Sequence, residues 1–552
     1  MDDIELLQLS SLEKVFYETR PSAEELFSYS ILKNERFSYQ LAYRRKKHGK
    51  RPLKIEVSGD LADFVKIFRV VHVPVNTPLH GDNCDDDYIM RTPGLAPDAL
   101  IPIDAEDTYV FGERWESLWI TVEPDKAVSA GNHKITVALS FEEEDGKKVT
   151  KSKTMFLEII DANLPEQSTI VTQWFHCDCI GSYFGVPMLS EAHWEYIDKF
   201  VKCAAKNGIN MILTPIFTPP LDTAIGSERP TVQLVGVKKN GEKYIFDFSK
   251  LDRWVDMCLG NGIRYFEMSH LFTQWGAKAT PKIMAEVNGE EKRIFGWDVS
   301  STSNEYKSFL SAFLPEIDSY LRKKGIADVT YFHISDEPHG EEARKTYLEV
   351  KQIVKEHLCG YKIMDALSEV EFFREGVVEL PVPANDHIKP FLEEDIVERW
   401  TYYCTCQAKD VSNRYMAMPS YRNRVISDQM FKYGIKGFLH WGYNFYYAQL
   451  SKYSINPYVI TDADGAFQSG DAFSVYPYNG GTAESLRLVV FHEALQDIRA
   501  MELLASKIGR EEVVKLFENE ANMSVEFDKY PKSADYILRR RQAINEKLKE
   551  FV

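Results

Sequence analysis

The hydrophobic rhythm of the chain changes once, near residue 165. Before it, LKIEVSG (53–59), VKIFRVVHVPV (65–75), ESLWITVEP (116–124), NHKITVALSF (132–141) and KTMFLEII (153–160) alternate apolar and polar positions. Gly, Asn, Asp and Pro punctuate them. A period of two places alternate side chains on one face of a strand. Five or more such strands predict an antiparallel β-sandwich over residues 1–165. ANLPEQS (162–168) reads as the linker out of it.

Beyond it, strand-like and helix-like periods alternate. Strands are expected at 168–178, 209–216, 263–272, 328–336, 361–367, 377–383, 399–405 and 435–444. Helices are expected at 191–208, 251–262, 304–325, 340–358, 422–434 and 483–509, several ending in Gly. A hairpin is expected within 231–249. Strand–helix alternation argues for a parallel sheet. Eight units over 166–509 fit an α/β fold of the (β/α)8 TIM-barrel type, with insertions, better than an open sheet. No Gly-x-Gly-x-x-Gly follows the first strand, which weighs against a dinucleotide-binding fold. Residues 510–552 read as a charged C-terminal helical extension packed on the barrel exterior.

Composition narrows the function. The 552 residues are 44% hydrophobic and 27% charged, enough to bury more than one core. The formal net charge of −17 disfavours nucleic acid and anionic membrane surfaces as partners. No run of 18 apolar residues is present, so no transmembrane helix is expected. The N-terminus, MDDIELLQLSSLEKVF, has neither a basic nor an apolar leader region, which predicts a cytoplasmic protein. Nothing in the pattern sets the oligomeric state.

Eight cysteines do not form a disulfide framework. Cys177/Cys179 and Cys404/Cys406 fall in strand-like runs, where residues two apart share a face. His176 and Asp178 flank the first pair, so a metal site is conceivable there. Neither pair has zinc-finger spacing, so reduced thiols are expected, with no metal and no cofactor. GDNCDDDYIM (81–90) lacks the spacing of a calcium loop and reads as a solvated loop. Aromatic residues make up 13% of the chain, and Trp and Tyr serve either cores or ligand stacking.

In a (β/α)8 barrel the chemistry lies at the C-terminal strand ends. The first strand ends in Trp174, His176 and Asp178, the third in Glu267, His270, Gln274 and Trp275. The fourth carries His333, Ser335, Asp336 and Glu337, the fifth Asp365, the seventh Tyr402 and Tyr403, the eighth His440, Trp441 and Asn444. This set is rich in carboxylates and aromatic platforms, and it contains no serine elbow or phosphate loop. Such residues suit sugars: Trp faces stack on the ring, and carboxylates and His bind hydroxyls. The sharpest element is FHISDEPHGEE (332–342). Asp336 and Glu337 are adjacent at a strand tip, where both can turn toward one ligand. Neighbours are poorly placed to flank a bond from opposite sides, but they suit substrate assistance by a 2-acetamido group. Asp336 would orient the acetamide N–H, and Glu337 would act as acid and then base. The charge of Asp336 is expected to raise the pKa of Glu337.

The motifs YIFDFSKLDRW (244–254), IRYFEMSHLFTQWGAKATP (263–281), FGWDVSSTSNEYKSFLSAFLPEI (295–317) and YFHISDEP (331–338) resemble the catalytic region of glycoside hydrolase family 123. GFLHWGYNFY (437–446) and SLRLVVFHEALQDIRAMELL (485–504) continue the resemblance, and GLAPDALIP (94–102) with LWITVEPDKAVSAGNHKITV (118–137) carry it into the sandwich. The resemblance implies a β-sandwich followed by a (β/α)8 barrel, and a retaining β-N-acetylgalactosaminidase that uses substrate assistance through an oxazoline. It places the acidic pair at Asp336 and Glu337, the last-strand tryptophan at Trp441, and two further site tryptophans at Trp275 and Trp297.

The remaining candidates carry two readings each. His176 and Asp178 either bind sugar hydroxyls or bond within the barrel. His333 either supports the acid or is a buried, satisfied histidine. Trp174, Tyr402 and Asn444 complete the expected substrate-binding set. Three functions stay open: a hexosaminidase of the kind described, a glycosidase of another sugar using Glu267 or Asp365 as nucleophile, and a non-catalytic carbohydrate-binding protein.

Overall fold

A computed structural model describes residues 4–81, 83–103 and 108–552. Two sheets form the N-terminal sandwich. One runs Ile4–Ser10, Phe37–Arg45, Glu116–Val122, Val65–Val75, Gly94–Pro102, and then Gly481–Ser485 and Val475–Tyr478. Its last two strands are a hairpin contributed from the far end of the barrel segment, and Ser485 pairs with Ala99. The second sheet runs Ser28–Lys33, Lys148–Asn163, Gly131–Glu142, Lys54–Gly59. Alternating Ile135, Val137 and Leu139 meet Tyr39, Leu41, Leu118 and Ile120 in one buried cluster. The expected antiparallel arrangement holds with one exception: Ser28–Lys33 pairs parallel with Lys148–Asn163. These two strands are far apart in sequence, so no hairpin constrains their direction.

The barrel strands are Ile170–Gln173, Met211–Thr214, Tyr265–Met268, Thr330–Phe332, Lys362–Leu367, Leu380–Pro383, Trp400–Tyr402 and Gly437–His440. All pair parallel in chain order, and the first also pairs with the eighth. The ring closes between the sixth and seventh strands through one bridge, Ala384 to Tyr402. Met211, Leu213, Tyr331, Met364, Val382, Trp400 and Leu439 fill the interior. Gly437 is required there, because a Cβ would lie 2.0 Å from the Trp400 indole. Insertions after the second and third strands form a separate four-stranded sheet, Lys243–Asp247, Gly236–Asn240, Ile283–Val287 and Glu290–Phe295.

Four local expectations change. The first strand stops at Gln173, and a helix occupies Cys177–Phe184. Cys177 and Cys179 are therefore on a helix, where residues two apart point to different sides; both are buried. Cys404 and Cys406 lie just past the seventh strand, and all eight thiols are free. The helix expected from 483 starts at Leu486, capped by the Ser485 hydroxyl, which accepts the Leu488 N–H at 3.1 Å. In the acidic stretch 81–90, residue 82 lies outside the described residues. Asp85 is not solvated: it accepts a hydrogen bond from buried Arg422 at 2.8 Å. The C-terminal helices Arg510–Ala521 and Ala534–Lys549 pack on the barrel helix Leu486–Ile508. They also reach the sandwich: Asn545 donates to the Ser30 carbonyl at 2.7 Å, and Arg541 joins Asp497 to Glu35. No helix among the described residues is long and apolar enough to cross a membrane.

Candidate active site

Past the fourth strand the chain runs beside the segment after the third. Phe272 N–H donates to Ile334 O at 3.1 Å, the Ser335 hydroxyl to Thr273 O at 2.9 Å, and Trp275 N–H to Asp336 O at 2.9 Å. The strand, expected to run to 336, has already ended at Phe332, and past it both acidic side chains line one pocket at the mouth of the barrel. At Glu337 the backbone turns left-handed, with φ 43°. Non-glycine residues rarely adopt this conformation, and it concentrates at functional sites.

The pocket has a cavity volume of about 180 Å³. Of the residues expected at the site, it brings together Trp174, Trp275, Asp336, Glu337, Tyr402 and Trp441. Trp275, itself at φ 58°, is 43% exposed and so has a ring face available to a ligand. Tyr402 donates its hydroxyl to Glu337 Oε1 at 2.7 Å. Trp441 is fixed through its indole N–H, which donates to Asp471 Oδ2 at 2.8 Å; Thr405 donates to the same oxygen at 2.6 Å. Burial alone would push the Asp471 carboxyl up, but His440, Thr405 and Trp441 together hold it below the usual range.

Both acidic groups are pushed up. For Asp336 burial acts first and the charge of Glu337 second, opposed by the cation of His333. For Glu337 burial again acts first, opposed by the Tyr402 hydroxyl. Glu337 is thus raised, as expected, with burial as the leading cause, and repulsion between the two adjacent groups acts on both. Burial and proximity together disfavour ionising both acids at once.

The other expected residues lie elsewhere. His333 is buried inside the barrel, with Nε2 on Glu267 and Nδ1 on Asp365 at 3.1 Å. Burial lowers its pKa, but the two carboxylates prevail and lift it to about 10, so it is an imidazolium. Thr172 and Trp174 also donate to Glu267, at 2.6 and 2.7 Å, and Tyr347 donates to Asp365. His176 is buried beneath Trp441. Its Nε2 meets the Trp441 carbonyl at 2.8 Å, and its Nδ1 meets Arg229 at 3.2 Å. Burial and the Arg229 charge drop its pKa to about 3, so the ring is neutral, donating from Nε2 and accepting at Nδ1. Asp178 makes a bidentate pair with Arg229, at 2.9 and 2.7 Å, with both side chains buried. Asn444 binds the backbone N–H and carbonyl of His176 at 2.8 and 3.1 Å. These four residues brace the pocket from below and do not line it. Trp297 lines a neighbouring cavity with Pro219, Pro220 and Arg293.

Sequence reasoning passed over Asp222, Phe467, Cys404 and Cys406, which line the pocket, and Arg229 and Asp471, which support it. All lie in segments past barrel strands without periodic pattern. Their place after a strand's C-terminal end is the one signal that could have marked them. His270, His333 and Asp365 bring ligand atoms within 4.8 Å of one another. Imidazoles hold a metal in the ring plane, whereas these two rings stack at 4.3 Å and 20°, and both nitrogens of His333 are engaged. This cluster does not fit a metal.

The family description "Glycoside hydrolase 123, catalytic domain" matches residues 174–504, more than half the chain, and spans every element of this pocket. The chain belongs to glycoside hydrolase family 123. It is a glycoside hydrolase, and its substrate is a carbohydrate. A solved family 123 glycoside hydrolase from Clostridium perfringens is 15% identical and covers 99% of each chain, with a TM-score of 0.76. At that identity it shows that the family 123 fold is shared from end to end. A PapD-like domain of human CEP192 is 12% identical, over 29% of this chain and 87% of that one, at a TM-score of 0.15, which carries no argument. No curated protein matches the chain.

Proposed function

We propose that this family 123 enzyme is a retaining hydrolase of β-linked N-acetylgalactosaminides or closely related 2-acetamido sugars, acting by substrate assistance. The observation that carries the reading is the pairing of adjacent Asp336 and Glu337 in one pocket, past the end of the fourth strand. The two carboxylates first weighed as a separate nucleophile, Glu267 and Asp365, are buried and taken up by His333, Thr172, Trp174 and Tyr347. A purely binding protein would not need two adjacent carboxyls whose joint ionisation is disfavoured.

In the first step the substrate's acetamide oxygen attacks its own anomeric carbon as the glycosidic C–O bond breaks. Glu337 passes its proton to the departing oxygen. Asp336 accepts the acetamide N–H, which lets it ionise in spite of burial and balances the charge of the oxazolinium ion. In the second step Glu337, now a carboxylate, takes a proton from water. The water oxygen bonds to the anomeric carbon, and the ring opens with net retention. Trp275 and Trp441 supply ring faces for the sugar. The Clostridium perfringens relative is described in the context of glycolipid glycan hydrolysis, and we extend that substrate class to this chain as a proposal.

The deciding test compares nitrophenyl β-N-acetylgalactosaminide with nitrophenyl glycosides bearing a free 2-hydroxyl, together with inhibition by a thiazoline mimic of the oxazoline. The reading requires preference for the acetamido sugar and tight thiazoline inhibition. Glu337→Gln should abolish cleavage of unactivated substrates, and Asp336→Asn should lower kcat strongly while ligand still binds. Full activity in Glu337→Gln, or an unchanged kcat in Asp336→Asn, would overturn it.

A further inference from the structure

The loop after the second barrel strand puts a third carboxylate in the pocket, one that the proposed mechanism does not use. Asp222 is half-buried and lines the same pocket as Asp336 and Glu337. Its backbone is left-handed, φ 39°, a conformation that costs free energy for a residue with a Cβ. Three hydrogen bonds hold it there. Its N–H donates to Gln274 Oε1 at 2.6 Å, its Oδ2 accepts the Leu450 N–H at 2.9 Å, and its carbonyl accepts the Ser451 hydroxyl at 2.6 Å. Leu450 and Ser451 are themselves left-handed, at φ 59° and 55°, so two strained segments are locked together.

Two consecutive residues tie this carboxylate to the acidic pair. Gln274 holds the Asp222 N–H, and the next residue, Trp275, donates its own N–H to the Asp336 carbonyl at 2.9 Å. Asp222 is thus set at a fixed distance from the reacting end of the pocket, on the rim shared by the second and eighth strands. Its second oxygen, Oδ1, meets no donor among the described residues, and no lysine or arginine pairs with the group there. Burial pushes the carboxyl up to about 6, although the Leu450 N–H and the charges of Arg229 and Lys452 act against that. A strained, clamped carboxylate with one open oxygen in a sugar-sized pocket is arranged to receive a donor.

We infer that Asp222 is a substrate-recognition residue whose Oδ1 accepts a hydrogen bond from a ring hydroxyl of the bound sugar. The inference rests on the proposed function for the choice of sugar and holds for any glycan in this pocket. A site built to accept one hydroxyl strongly rejects a sugar that lacks it.

The test takes the full-length enzyme and a panel of nitrophenyl β-glycosides to find the sugar it cleaves best. Asp222→Asn keeps an oxygen for the Leu450 N–H, and Asp222→Ser is a second variant should Asn unfold the loop. On the best sugar, kcat/KM should fall about 10- to 100-fold, the worth of a hydrogen bond to a charged group. On one monodeoxy analogue of that sugar, wild type and variant should be equal, which identifies the hydroxyl. Equal losses on the parent and every deoxy analogue, or no loss, would overturn the assignment. So would a loss of about 10⁴-fold or more on all sugars that azide restores, because Asp222 would then be a nucleophile. A best sugar without a 2-acetamido group would refute substrate assistance while leaving the deoxy comparison intact.

Discussion

The Tyr402–Glu337 hydrogen bond should be visible in the pH dependence of turnover. Tyr402→Phe removes a 2.7 Å donor from Glu337 Oε1 and leaves the ring in place. The phenol is pushed well up by burial and by Glu337, so it stays a donor across the working pH range. A hydrogen bond to an ionised group contributes about 1.5–3 kcal/mol, and one to a neutral group about 0.5–1.5 kcal/mol. The difference, about 1–1.5 kcal/mol, favours the carboxylate form and corresponds to about one pKa unit. Glu337 must be protonated to begin the reaction, so its ionisation sets the alkaline limb of kcat/KM. In Tyr402→Phe that limb should move up by about one pH unit. The plateau should fall severalfold, because a weaker acid protonates the departing oxygen less readily. The assay is kcat/KM against pH on an unactivated β-N-acetylgalactosaminyl disaccharide, whose leaving group needs the proton. The limb belongs to the Asp336–Glu337 pair as a unit, so its displacement is the readout. A limb that stays in place or moves to lower pH in an active Tyr402→Phe enzyme would refute the assignment of Glu337 as the acid.

Other predictions follow from the buried charges beneath the pocket. His333→Asn leaves Glu267 and Asp365 without their shared cation and should cost about 3–5 kcal/mol of stability in chemical denaturation. Because the folded pKa of His333 is raised to about 10, its contribution is full below about 6.5 and is lost as pH rises through 10. The stability gap between wild type and variant should therefore narrow over that window, and a constant gap would contradict the imidazolium. Arg229→Met should cost about 3–5 kcal/mol by stranding buried Asp178, and Arg229→Met/Asp178→Leu should recover much of it; a double variant as unstable as the single would show that the pair is not the cause. Trp441→Phe should raise KM for the sugar more than it lowers kcat, since the indole is tied to Asp471 and not to the acidic pair; an unchanged KM would remove Trp441 from the binding surface.

The barrel was legible because each strand is buried on both faces and reads as a short apolar run, and because glycines close the helices. Gly208, Gly325 and Gly434 all have positive φ at or just past helix ends. That Asp336 and Glu337 turn toward one ligand could be anticipated; the left-handed backbone at Glu337 could not, since a residue before proline favours extended backbone. Depth was not legible. His176, Asp178, His333 and Asn444 sit at strand ends like Trp174 and Tyr402 do, but alternation reports which face a side chain takes and not whether a second layer covers it. Cys177–Phe184 is apolar enough to pass for a continued strand. Asp222 and Arg229 depend on contacts with segments about fifty or more positions away, which leave no local trace.

The hairpin Val475–Tyr478/Gly481–Ser485, which completes the N-terminal sheet beside Gly94–Pro102, bears on how the protein is made. On the ribosome the strand ending at Pro102 is finished roughly 380 residues before its neighbour exists. At about 5–20 residues per second that is on the order of 20–80 s. Through that interval the nascent sandwich presents an unpaired β-edge at Ala99 and Leu100, open to mispairing with other chains. The last strands of the barrel segment therefore act as a late seal on the first part of the chain to fold, and ribosome-bound intermediates shorter than about 485 residues should be the aggregation-prone ones.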